Sequence, residues 1–115
     1  MKTFKNTLIQ ITQNGMGNGD EKLGLQLVTN YLKLLNEENE LPKFIAVYNS
    51  GVKLTCSGSP VIETIQTLEK RGLKFIVCKT CLNHFNLMDK MEVGIAGTMI
   101  DIIELQKAAD RVVTL

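Results

Sequence analysis

The chain of 115 residues has no tryptophan, two prolines, one histidine and three cysteines. Aromatic residues make up 5% of it, and neither charge dominates: 13 Lys and Arg stand against 12 Asp and Glu. Each scarcity excludes something. A balanced charge gives no electrostatic footprint for nucleic acid, whose binding rests on phosphate neutralisation, so no nucleic-acid partner is expected. No apolar run approaches the roughly 18 residues that a membrane span needs, so no membrane partner is expected either. The apolar stretch after Met1-Lys2-Thr3-Phe4-Lys5-Asn6 is broken by Gln10, too short and interrupted for a secretory h-region. The expected location is therefore cytoplasmic, where three cysteines read as free thiols and not as a disulfide framework.

What remains is a globular composition, 44% hydrophobic and 22% charged. The length fits a single domain over residues 1–115, because two separate cores would each be marginal. Apolar segments of two kinds alternate along it. Thr7–Thr12, Phe44–Tyr48, Leu73–Val77 (ending at Cys78), Glu92–Ile95 and Arg111–Leu115 read as strands. Phe44–Tyr48 is continuously apolar, the pattern of a strand covered on both faces. Asp20–Asn36 reads as a helix whose inner face is Leu23, Leu27, Tyr31 and Leu34, widened by Leu25, Val28, Leu32 and Leu35. A second helix is expected to start with Ser59 as N-cap and Pro60 at the first position, to bury Val61, Ile65 and Leu68, and to stop at Gly72. A short helix over about Thr80–Phe85 ends at Asn86, which tolerates a left-handed cap. A last helix from Gly97 or Thr98 presents Met99, Ile102, Ile103 and Gln106. Strands separated by helices require crossover connections. The expected fold is a three-layer α/β/α sandwich, flavodoxin-like, on a mostly parallel five-stranded sheet.

In such folds the site lies beyond the carboxyl ends of the strands. Three segments meet there. Cys78-Lys79-Thr80-Cys81 stands at a strand-to-helix turn, where unpaired N–H groups and a neighbouring cation favour a thiolate. Cys78 is the expected nucleophile toward a sulfur or selenium donor, and Cys81, about one turn on, the resolving thiol. Cys78, Cys81 and His84 also recur at ligand-like spacing, but no second pair completes a tetrahedral site, so no metal is expected. Leu82 stands where a c-type haem site needs histidine. Gly15-Met16-Gly17-Asn18-Gly19-Asp20 follows a strand and opens a helix. It lacks the dinucleotide and P-loop patterns and reads either as a tight turn or as a ligand-binding loop through Gly15, Gly17, Asn18 and Gly19. At the end of the second strand, Asn49 and Ser50 can hydrogen-bond a ligand or stabilise a turn, and Lys53 supplies charge to the thiol pocket or lies in solvent. Lys79 and Thr80 complete the expected ligand-facing set, and Cys56 reads as packing.

Tyr48-Asn49-Ser50-Gly51-Val52-Lys53-Leu54 followed by Cys78-Lys79-Thr80-Cys81-Leu82 resembles the DsrE/DsrF-like family, nearest the C-terminal domain of YedF-type sulfurtransferase-like selenium metabolism proteins. Gly17-Asn18-Gly19-Asp20, Leu23-Gly24 and Leu41-Pro42 match the same subgroup. The resemblance runs over roughly residues 7 to 114. It implies a parallel α/β sandwich and a sulfur or selenium relay, with a persulfide on the cysteine after the third strand, here Cys78. It implies no cofactor, donor and acceptor proteins such as a TusA-like protein, and a homo-oligomer. The chain departs from the family pattern in having Lys79 where Gly is usual and Asn86 at a turn more often occupied by Gly. It also has no TusA-like N-terminal domain with its Cys-Pro motif. Two other functions are compatible with the same residues: a non-catalytic small-ligand or protein-binding adaptor, and a dithiol redox protein using Cys78 and Cys81.

Overall fold

A computed structural model describes residues 2–115. Five strands, β1 (Thr7–Ile11), β2 (Phe44–Val47), β3 (Lys74–Cys78), β4 (Ile95–Gly97) and β5 (Arg111–Thr114), form one sheet in the order 4-3-2-1-5. Every pairing is parallel. The α/β class and the parallel sheet are as the sequence implies. The order is not flavodoxin's 2-1-3-4-5. The chain steps steadily outward from β1 to β4 and then returns across the sheet to β5.

That path fixes the layers. Right-handed crossovers taken in one direction place their helices on one face, and the single return crossover places its helix on the other. The helices are α1 (Glu21–Leu35), α2 (Ile62–Lys70), α3 (Lys79–His84) and α4 (Met99–Ala108). Gln106 on α4 donates to Gln10 Oε1 at 2.7 Å, and Gln10 donates to Thr114 Oγ1 at 2.9 Å. These bonds satisfy the buried Gln10 and tie α4 and β5 to the middle of β1. On α2, Glu69 accepts the N–H of Gly94 at 3.0 Å. The core consists of the sheet's apolar side chains with Val28 and Leu32 of α1, Ile65 and Leu68 of α2, Leu82 of α3 and Ile102 of α4. No described helix is long and apolar enough to cross a membrane.

Several boundaries and faces differ from the sequence reading. The buried stripe of α1 is Gly24, Val28, Leu32 and Leu35, while Leu23, Leu27 and Leu34 are exposed. Two apolar stripes one residue apart satisfy helical periodicity equally. Glycine decides between them: a Cβ on Gly15 would lie 2.7 Å from the carbonyl carbon of Gly24, so the turn and the helix meet backbone to backbone. On α4 only Ile102 is fully buried, and Met99 and Ile103 of the expected inner face are exposed. A capping box of Thr98 with Asp101 starts that helix. α2 begins at Ile62, later than expected; Ser59 Oγ accepts the N–H of Val61 in the turn before it. β4 lies C-terminal to the expected Glu92–Ile95, because the N–H groups of Glu92 and Val93 bond Thr55 O instead. Asn86 at φ 59° and Gly72 at φ 97° take the left-handed turns the sequence implies.

The largest addition is a 3₁₀ segment, Asn49–Thr55, where the sequence indicated only a turn. A Cβ on Gly51 would lie 2.8 Å from Ile11 O, so this segment rests directly on the end of β1. Replacing Gly51 with Ala is expected to destabilise the fold by about 1–3 kcal/mol, the range for a forced overlap in a packed interior. A lowered urea midpoint with unchanged m-value is the expected reading; an unchanged midpoint would contradict the close approach.

Candidate functional site

The carboxyl ends of β1, β2 and β3 carry the three segments expected there, and the 3₁₀ segment lies between the other two. Cys78 closes β3 and caps α3 without a side-chain capping bond. Its residue is 2% exposed, whereas Cys81 is half-buried and reaches the surface. Cys78 is near enough to Cys81 to influence its ionisation. Cys81 Sγ also accepts the backbone N–H of Asn49 at 3.0 Å. The chain after β2 and the chain after β3 are thus joined through a sulfur.

Burial is the main cause that pushes the Cys81 thiol above its ordinary value. The neighbouring Cys78 thiol acts in the same direction. The Asn49 N–H acts oppositely, because it stabilises the ionised sulfur. Exposure reverses the order of contact that the sequence implies: the enclosed thiol is Cys78, and Cys81 is the one an incoming group meets first.

Cys56 is buried, and its Sγ donates to Val52 O at 3.3 Å. Burial first, and Glu92 in addition, raise its pKa against a hydrogen bond from Thr55. That environment fits a packing thiol. No three His, Cys, Asp or Glu side chains converge among the described residues, so Cys78, Cys81 and His84 form no ligand cluster.

The expected ligand-facing residues divide into two groups. Gly15, Gly17, Asn18, Gly19 and Ser50 line a cleft of about 710 Å³ together with Lys53. A second cleft of about 430 Å³ shares Asn14, Leu25 and Lys53 with it and runs to Cys56, Pro60 and Phe85. Asn49, Cys78, Lys79, Thr80 and Cys81 line neither. The glycine turn follows β1 and the thiols follow β3, with β2, which leads into the 3₁₀ segment, between those strands. Lys53 Nζ sits 4.7 Å from the centre of the Phe85 ring. Lys79 and Thr80 are exposed. Glycine is required in the turn, since Gly17 at φ 79° and Gly19 at φ 131° stand in conformations that other residues rarely adopt. Asp20 uses its side chain to cap α1, accepting the Leu23 N–H at 2.8 Å. The sequence did not reveal the link from Asn49 to Cys81, which depends on a left-handed φ of 53° at Asn49. An Asn-Ser-Gly run directly after a strand was its one signal.

The chain belongs to the DsrE/DsrF-like family, whose pattern it matches over residues 6–115. No curated protein matches it. It is similar to a protein of unknown function, MTH1491, from Methanobacterium thermoautotrophicum, with a TM-score of 0.69 at 17% identity, covering 98% of this chain and 100% of that one. It is similar as well to the ychN protein of E. coli, with a TM-score of 0.68 at 17% identity over 95% and 98% of the two chains. A conserved protein of unknown function, BT1422 from Bacteroides thetaiotaomicron, gives 0.65 at 14% identity over 96% and 95%. At these identities the likeness concerns the fold.

Peptide-resolved alkylation with iodoacetamide checks the order of the thiols. Cys81 is expected to react first, with an inflection above the ~8.5 of an ordinary thiol, and Cys56 and Cys78 to lag behind it. Prior reaction of Cys78, or a Cys81 inflection below that value, would contradict the arrangement.

Proposed function

We propose that the protein carries sulfane sulfur, taken up as a persulfide on Cys81 with Cys78 as the second thiol of the pair. The observation that supports this reading most is the placement of Cys81 Sγ at the surface, against the Asn49 N–H and beside a buried Cys78. Membership of a family associated with sulfur relay is consistent with it.

The chemistry is an exchange without net oxidation. The Cys81 thiolate attacks the outer sulfur of a donor persulfide, forming a new S–S bond on Cys81 as the donor S–S bond breaks. The donor leaves as a thiolate and takes up the proton lost by Cys81. An acceptor thiolate then repeats the attack on the outer sulfur, and Cys81 leaves. The Asn49 N–H faces the sulfur that bears charge at the start and end of this cycle.

Two effects compete over which cysteine is the entry point. A raised pKa lowers the ionised fraction of Cys81 tenfold per unit, but intrinsic nucleophilicity rises with pKa, so the net loss is only about threefold per unit. Enclosure of Cys78 instead prevents in-line approach of a donor. Access therefore outweighs ionisation, and the entry thiol moves from Cys78, where the sequence motif places it, to Cys81. The same geometry gives Cys78 a further reaction. Its attack on the inner sulfur of a Cys81 persulfide yields the Cys78–Cys81 disulfide and releases hydrosulfide. The raised Cys81 pKa makes that sulfur a poor leaving group when a rival attacks the outer sulfur, which favours retention.

Intact-mass measurement after treatment with inorganic polysulfide tests the reading. Wild type and Cys56→Ser are expected to gain about 32 Da, one sulfur atom on a thiol. Cys78→Ser should keep this adduct and hold it longer, because the internal attack is removed; Cys81→Ser should lose it. An adduct that persists in Cys81→Ser and disappears in Cys78→Ser would return the carrier role to Cys78, and the absence of any adduct on the pair would refute sulfur carriage.

A further inference from the structure

The hydrogen bond to Cys81 comes from a backbone amide, so the local fold around residue 49 aims it. Three contacts hold that amide. Asn49 stands in the left-handed region at φ 53°, which asparagine enters at lower cost than most residues. Its Oδ1 accepts the Ser50 N–H at 2.8 Å. Ser50 Oγ in turn accepts the N–H of Asn14 at 3.2 Å, at the entry of the glycine-rich turn. Gly51, pressed on Ile11 O, closes the segment from behind.

We propose that Asn49 and Ser50 are positioning residues for the Cys81 sulfur: Asn49 allows the left-handed step that turns its amide onto Sγ, and Ser50 anchors that step to Asn14 on the wall of the glycine-rich cleft. Ser50 and Asn14 both line that cleft, which the thiols do not line. The cleft and the sulfur are thereby joined through two residues. This assignment deepens the sulfur-carrier reading by naming what holds the reacting atom. Its test reads thiol ionisation alone, so either can fail without the other.

The measurement is the pH profile of Cys81 alkylation by iodoacetamide, resolved by peptide. Loss of an amide donor destabilises the thiolate. Asn49→Ala, which cannot hold the left-handed step cheaply, is expected to raise the inflection and slow the reaction at pH 8 about twofold, as for a half-unit shift offset in part by nucleophilicity. Asn49→Gly, free to adopt positive φ but without the Oδ1 contact to the Ser50 N–H, should shift the profile less than Asn49→Ala. Ser50→Ala should shift it in the same direction as Asn49→Ala, and Ser50→Thr, which keeps the hydroxyl, should restore it. A role in stability alone would lower the urea midpoint without moving the inflection. Equal shifts in Asn49→Ala and Asn49→Gly, or no shift in either, would overturn the proposal. If Asn49→Ala does not fold, the wild-type chain decides. Its Asn49 amide proton should titrate with Cys81 by NMR and lose that step in Cys81→Ser; an amide indifferent to Cys81 ionisation overturns it.

Discussion

The site depends on one backbone contact, the seat of the 3₁₀ segment Asn49–Thr55 on the end of β1. The Tyr48 N–H bonds Ile11 O at 3.0 Å, and Gly51 packs where any Cβ would overlap that same carbonyl. From this seat the segment reaches every part of the carboxyl edge. Asn49 meets Cys81, Ser50 meets Asn14, Val52 O receives Cys56, and Lys53 covers Phe85. A segment a few tenths of an ångström farther out would weaken these contacts together, because hydrogen bonds fall off over that range.

The arrangement separates two tasks. Steric enclosure keeps one thiol of the C-x-x-C pair behind the other, and burial keeps the outer thiol protonated until it reacts. The sequence motif alone points to thiolate activation at a helix start. In the fold, desolvation and the neighbouring sulfur outweigh the single amide donor at Cys81, so the net shift is upward. Such a thiol is suited to holding sulfur against premature release.

Much of the architecture was legible because it rests on apolar periodicity and on residues with strong backbone preferences. Five strands, four helices, and the left-handed turns at Gly72 and Asn86 follow from such signals. The inner face of α1 was not legible, since Leu23, Leu27, Tyr31 and Leu34 form as regular a stripe as Gly24, Val28, Leu32 and Leu35. A hydrophobic pattern gives glycine no weight, although Gly24 and Gly15 set that face through their close approach. The start of β4 was misplaced for a different reason: Glu92 and Val93 pair with Thr55 O, a partner distant in sequence. At the site, the positions of the thiols and of the glycine turn were legible from strand-to-helix spacing. Their separation and the relative enclosure of Cys78 and Cys81 were not, because both depend on packing between segments and not on local pattern.

The most direct measurement is a crystal structure of polysulfide-treated protein, with sulfur located from anomalous differences at long wavelength. A new sulfur peak bonded to Cys81 Sγ, near the Asn49 amide, is the predicted result. A peak on Cys78 or Cys56, with Cys81 unmodified, would contradict the account.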